Sequence, residues 1–124
     1  MPCPNRKCDG PLDPKRCPGL RTAARLGPNF RNLLADYHAN IWREGGAIPL
    51  KLKYLMALAT AVTGREVQRA KLEANKAVAC GATDEEIRET LAMGVWLGGA
   101  PLLLEVVNPV LAFVAKRRAA TGDS

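Results

Sequence analysis

Four cysteines, at positions 3, 8, 17 and 80, have the widest chemical range in this 124-residue chain. Thiolates bind zinc, and Cys3 and Cys8 have four residues between them, the upper limit for the first pair of a zinc site. Cys17 could be a third ligand, and the fourth would be Cys80, His38 or a partner chain's residue. The same residues permit redox chemistry, with Cys3 and Cys8, or an arm cysteine and Cys80, cycling between dithiol and disulfide. The spacing is not the C-x-x-C of redox motifs. Free thiols on an extended arm, with Cys80 a small apolar residue near a helix end, are the plainest and preferred account. His38 is the single histidine. It lies at the margin of an apolar face, where a surface or boundary role is preferred to acid–base work. Tyr37, Trp42, Tyr54 and Trp96 could line an aromatic pocket, but core packing explains their spacing and is the preferred reading.

The elements that must position these side chains are helical. Ala and Leu dominate the second half and aromatic residues make up only 5%, a mix that favours helices over sheets. Phe30, Leu33, Leu34, Tyr37 and Ile41 recur at helical spacing after Pro28 and before Gly45-Gly46. Leu52, Leu55, Met56, Ala59 and Val62 predict a second helix between Pro49 and Gly64. Val67, Ala70, Ala74, Ala77 and Val78 predict a third, from about Arg65 to Cys80, with Gly81 placed to end it. Thr83-Asp84-Glu85-Glu86 has the form of a capping box opening a fourth helix, with Ile87, Leu91, Met93, Val95 and Trp96 as its apolar residues. A last buried segment runs from Pro101 to about Arg118 and is expected to bend at Pro109. The fold class is all-α, with five or six helices.

Residues 1–28 hold six of the nine prolines and three of the four cysteines, and read as an arm or small knuckle. The helical domain covers 29–120, and 121–124 form a tail. The net charge of +6 raises nucleic acid as a partner. Its distribution argues against one. Residues 1–28 carry six basic and two acidic side chains, leaving twelve and ten for the rest, with no basic run interleaved by aromatics. Residues 91–115 contain one charge, Glu105, and are long enough to span a membrane. Gly98-Gly99, Pro101 and Pro109 break that stretch, so no membrane span is expected. No signal peptide is read at the N-terminus, and the expected location is cytoplasmic.

Three segments carry a resemblance to a known family. They are Lys51-Leu-Lys-Tyr-Leu-Met-Ala-Leu-Ala, then Cys80-Gly-Ala-Thr-Asp-Glu-Glu-Ile, then Met93-Gly94 through Gly98-Gly99-Ala100-Pro101. In order and spacing, residues 48–114 resemble the carboxymuconolactone decarboxylase family, which includes the alkylhydroperoxidase D-like proteins. The stretch 30–46, with Trp42 and Gly45-Gly46, is similar to the family's leading helix. The resemblance implies an alkylhydroperoxidase D-like orthogonal helical bundle that assembles as a homo-oligomer, a trimer or hexamer. It also implies a site. In the peroxidase branch a Glu is followed, after eleven residues, by C-x-x-C-x-x-x-H. Those positions fall here on Tyr54, Glu66, Arg69 and Glu73, so the paired thiols and the histidine are replaced. Disulfide chemistry on this helix is excluded as far as the alignment holds. The decarboxylase branch also lacks the thiol pair but usually keeps the histidine.

Glu66, Arg69 and Glu73 stand at i, i+3 and i+7, within an arc of about 60° beside Ala70, Ala74 and Ala77. In one reading Arg69, with Tyr54 nearby, binds the carboxylate of a small molecule. Glu66 or Glu73 then moves a proton, as cofactor-free decarboxylation or isomerisation of a lactone or enol acid requires. In the other, which the sequence alone favours, the three residues are helical charge pairs worth about 0.2–0.5 kcal/mol each. A thiol-dependent, peroxiredoxin-type oxidoreductase using Cys3, Cys8, Cys17 and Cys80 is the second enzymatic alternative, and a non-catalytic binding scaffold is the third. No cofactor is expected, apart from zinc on the N-terminal cysteines in the metal reading.

Overall fold

The computed structural model describes residues 18–122. Among them the chain is all-α, with six α-helices, one π-helical turn and no strand. α1 spans Pro18–Leu26, α2 Pro28–Ile41, α3 Leu50–Thr63, α4 Val67–Ala79, α5 Asp84–Gly98 and α6 Asn108–Thr121. The π-helical turn, Leu103–Val107, runs directly into α6. The chain forms two compact units that part between Leu50 and Lys51. No helix among the described residues is long and apolar enough to cross a membrane.

In the first unit α1 packs on α2. Residues 18–26, expected as part of an arm, are helical, and Leu20 and Ala23 are buried. α2 begins at Pro28, one residue before the expected start, and contains no buried residue. Phe30, Leu33, Tyr37 and Ile41, expected as a core face, are exposed. Periodicity fixes which side chains share a face, and nothing among the described residues buries these four.

The second unit holds the larger core. α3 is apolar nearly all round, so its spacing alone does not choose a face. Tyr54, Leu55, Leu58, Ala61 and Val62 are buried, whereas Leu52 and Met56, expected inside, are exposed. α4 buries Ala70, Ala74, Ala77 and Val78 as predicted and packs against α6, whose Val110 and Val114 are buried. α5 buries Ile87, Leu91 and Gly94. Met93 and Trp96, expected with them, are exposed, and Trp96 lies nine residues on and so half a turn round from Ile87. Gly94 lets α5 approach α3. A Cβ there would stand 2.7 Å from Val62 Cγ1, and the Thr63 hydroxyl donates to the Gly94 carbonyl at 3.3 Å.

The turns that set the positions of α4 and α5 are the best specified parts of the chain. Gly81, at φ +95°, follows the last turn of α4. Its N–H donates to Val78 O at 3.0 Å, and Ala82 N–H donates to Ala77 O at 2.9 Å, the two bonds of a Schellman motif. At the start of α5, Glu86 N–H donates to Thr83 Oγ1 at 3.1 Å and Thr83 N–H donates to Glu86 Oε1 at 2.9 Å, completing the capping box. Lys51 Nζ, from α3, reaches Glu86 Oε2 at 3.0 Å. The backbone hydrogen bond from Thr83, aided by Lys51, holds the Glu86 carboxyl below its ordinary range.

The bend expected at Pro109 takes another form. The helix widens one turn earlier, and Asn108 N–H donates to Leu103 O. This places Pro109 in the opening turn of α6, where its missing N–H costs no helical hydrogen bond.

Candidate site on the fourth helix

The chemistry converges on α4. Glu73 is one of two buried charged residues among those described, its side chain only 4% exposed. It faces inward because it sits one turn from Ala70 and Ala77, among the alanines that α4 presents to the core. Arg69, one turn earlier, donates from Nη1 to Glu73 Oε1 at 3.4 Å, and its own side chain is 58% exposed. The second buried charge is Lys76, one turn later, with Nζ 4.0 Å from the same oxygen. Glu73 Oε2, the other carboxylate oxygen, is buried without a hydrogen-bond partner.

α3 supplies the aromatic wall. Tyr54 is fully buried, and Lys76 Nζ lies 5.7 Å from the centroid of its ring, within cation–π range. The structure thus brings together Tyr54, Arg69 and Glu73 of the sequence-predicted set. It adds Lys76, which sequence reasoning missed. The available signal was a lysine three residues after Glu73 on the same alanine-lined face.

Glu66 does not join them. α4 starts at Val67, one residue later than an arc through Glu66 requires, and Glu66 is the exposed N-cap at φ −98° and ψ 85°. The cause is the tight turn before it, where Arg65 takes a left-handed φ of 59°. The Glu66 side chain makes no capping hydrogen bond.

The other candidates are dispersed. Cys3, Cys8 and Cys17 lie outside the described residues, as does the zinc site they would form. Cys80 is the C-cap of α4, partly exposed, and is disulfide-bonded, not the free thiol expected. His38 is half-buried, as a boundary residue should be, and its ring lies 6.4 Å from that of Trp42. Of the four aromatics, Tyr54 is in the core, Trp42 is half-buried, and Tyr37 and Trp96 are exposed.

Two open clefts lie elsewhere. One of about 540 Å³ is lined by Val78, Gly81 to Asp84, Arg118 and Gly122, and one of about 300 Å³ by Leu55, Glu86, Glu89, Thr90 and Met93. The charges of the first are spoken for, since Arg118 pairs with Asp84 at 2.5 Å and donates to Ala82 O at 2.9 Å. Neither cleft contains the buried carboxylate of α4.

The sequence model of the carboxymuconolactone decarboxylase family matches residues 28–112, more than half of the chain. The chain belongs to that family. The region shared with the carboxymuconolactone decarboxylases runs from the start of α2 into α6, so Tyr54, Arg69, Glu73 and Lys76 all fall within it. No curated protein and no solved structure matches the chain.

Proposed function

We propose that this carboxymuconolactone decarboxylase family member acts without a cofactor on a small carboxylate-bearing molecule, by decarboxylation or isomerisation of a lactone or enol acid. The observation that carries this reading is Glu73, a buried carboxylate with one oxygen committed to Arg69 and Lys76 and the other unpaired. An unpaired buried acceptor is costly to maintain, and a bound ligand's proton donor would satisfy it. Arg69 has the planar geometry that suits a carboxylate, and its exposed side chain offers that carboxylate a way in. Glu73 Oε2 then takes up or returns the proton. The active form is a homo-oligomer, a trimer or hexamer, and the protein works in the cytoplasm.

Carboxymuconolactone and a panel of related lactone acids are the substrates to assay, by carbon dioxide release and ultraviolet absorbance. Turnover abolished in Glu73→Gln and weakened mainly through KM in Arg69→Met is the expected result. Turnover that survives both changes would remove the site from α4, and neither turnover nor binding across the panel would leave the non-catalytic scaffold. The thiol-dependent oxidoreductase is kept as a second reading because Cys80 is disulfide-bonded. It requires peroxide turnover that is lost on alkylation of the reduced protein.

A further inference from the structure

Lys76 is left without a role by acid–base chemistry at Glu73, yet its placement is costly. A lysine rarely gives up water, and this one is 9% exposed on the inner face of α4. Its ammonium nitrogen lies 4.0 Å from Glu73 Oε1 and 5.7 Å from the centre of the Tyr54 ring. The Arg69 guanidinium meets the same Glu73 oxygen at 3.4 Å. One carboxylate oxygen therefore stands between a solvent-facing guanidinium and an enclosed amine.

We infer that Lys76 is a Schiff-base nucleophile and that the site takes a 3-oxo acid, a carboxylate with a ketone two carbons away. This rests on the reading of Arg69 and Glu73 as a carboxylate site and names its substrate class. Decarboxylation needs an acceptor for the electron pair of the breaking C–C bond, and a cofactor-free site must make that acceptor from its own side chains. An amine does so by condensing with the ketone.

The steps balance in atoms and charge. Glu73 accepts a proton from the Lys76 ammonium, and the freed amine nitrogen bonds to the ketone carbon as the C=O π pair moves to oxygen. Glu73 returns its proton to that oxygen, then relays a second one to it from the attacking nitrogen, so that water leaves and a protonated imine remains. The C–CO2 bond then breaks, its electron pair moves toward the imine nitrogen to form an enamine, and carbon dioxide departs. Glu73, now a carboxylate, takes one proton from solvent and delivers it to the enamine carbon, and water hydrolyses the resulting protonated imine, releasing the ketone and restoring the Lys76 ammonium. Nothing is oxidised or reduced overall; the water lost in forming the imine is returned in its hydrolysis, and one solvent proton is consumed per carbon dioxide released.

The test uses the full chain with acetoacetate as the probe, followed by borohydride reduction and peptide mapping by mass spectrometry. A reduced adduct on Lys76, well above labelling of Lys51, Lys53, Lys71 and Lys116, is the expected result. Lys76→Arg keeps a cation beside Glu73 but cannot form an imine, so its adduct should be lost while the protein stays folded by circular dichroism. Absence of the Lys76 adduct, or equal labelling of those four more accessible lysines, would overturn the proposal. Butyrate, which has the carboxylate but no ketone, separates the two layers of the argument. If butyrate binds natively and at least tenfold more weakly to Arg69→Met, while acetoacetate leaves no adduct, the imine fails and the carboxylate site stands. If neither binds nor reacts, both fail.

Discussion

Glu73, Lys76 and Arg69 form a charged group inside a small helical protein, and such groups seldom serve stability. Breaking a buried pair by removing one partner commonly costs about 3–5 kcal/mol, whereas replacing the whole pair by apolar residues is often neutral or stabilising. Lys76→Met is therefore expected to lose about 2–4 kcal/mol, because Glu73 keeps only the partly exposed Arg69. The double change Glu73→Leu with Lys76→Met should recover most of that loss. Urea denaturation of the four proteins in this cycle measures it, and a double variant as unstable as the sum of the singles would make the pair a net stabiliser. The sequence showed Arg69 and Glu73 on one face but favoured a solvated charge pair, worth a few tenths of a kcal/mol. The spacing sets Glu73 beside the alanines of α4, but how deeply its carboxylate is buried follows from how α4 lies against its neighbours. Glu66 went the other way, because a left-handed turn at Arg65 cannot be read from residue types that do not favour it. The same position gives a second expectation. Arg65→Gly should gain about 0.5–1 kcal/mol by removing the left-handed strain, despite losing an exposed ion pair to Glu105 at 3.5 Å. A melting-temperature increase would show it.

Helices and their ends were the legible scale. The Thr83–Glu86 box and the Gly81 terminus formed as their sequences predict because each is a local hydrogen-bonding pattern, settled within a few residues. Inward faces were less legible where a helix is apolar on more than one side, as α3 is. The capping box has a pH signature. The Glu86 carboxyl is held below its ordinary value of 4.5, first by the Thr83 N–H and then by Lys51. Its contribution is complete above that value and fades as pH falls through the lowered one, since the unfolded chain binds the proton first. The stability difference between the native protein and Glu86→Gln, which can retain the box, should thus shrink on acidification below about pH 4.5. A constant difference from pH 7 to pH 3 would contradict the assignment. Where α5 crosses α3, Gly94→Ala places a methyl 2.7 Å from Val62 Cγ1 and 3.2 Å from the Ala59 carbonyl oxygen. Overpacking of about 1–3 kcal/mol should outweigh the better helix propensity of alanine, for a net loss of about 1–2 kcal/mol in chemical denaturation.

At the scale of the molecule, the single chain leaves many large apolar side chains in water. Trp96 is 83% exposed and Leu104 77%, and Phe30, Leu33, Tyr37 and Ile41 of the apolar face of α2 are exposed. Scattered exposed leucines mean little, but a helix with no buried residue and four exposed apolar ones on a face asks for a covering surface. The proposed homo-oligomer would provide it. Sedimentation should then give a multiple of the 13.4 kDa chain mass, and Leu33→Glu in the middle of that face should lower it. The wide turn at Leu103–Val107 carries a different consequence, one of inheritance. A π-helical turn is a helix with one residue too many, and Pro109 is tolerated because that surplus comes just before it. Deleting a single residue between 103 and 107 would make an unbroken α-helix and drive the proline ring into the carbonyl four positions earlier. Loss of the surplus residue is harmful to a lineage that keeps Pro109, so the proline must be replaced before the turn can be shortened.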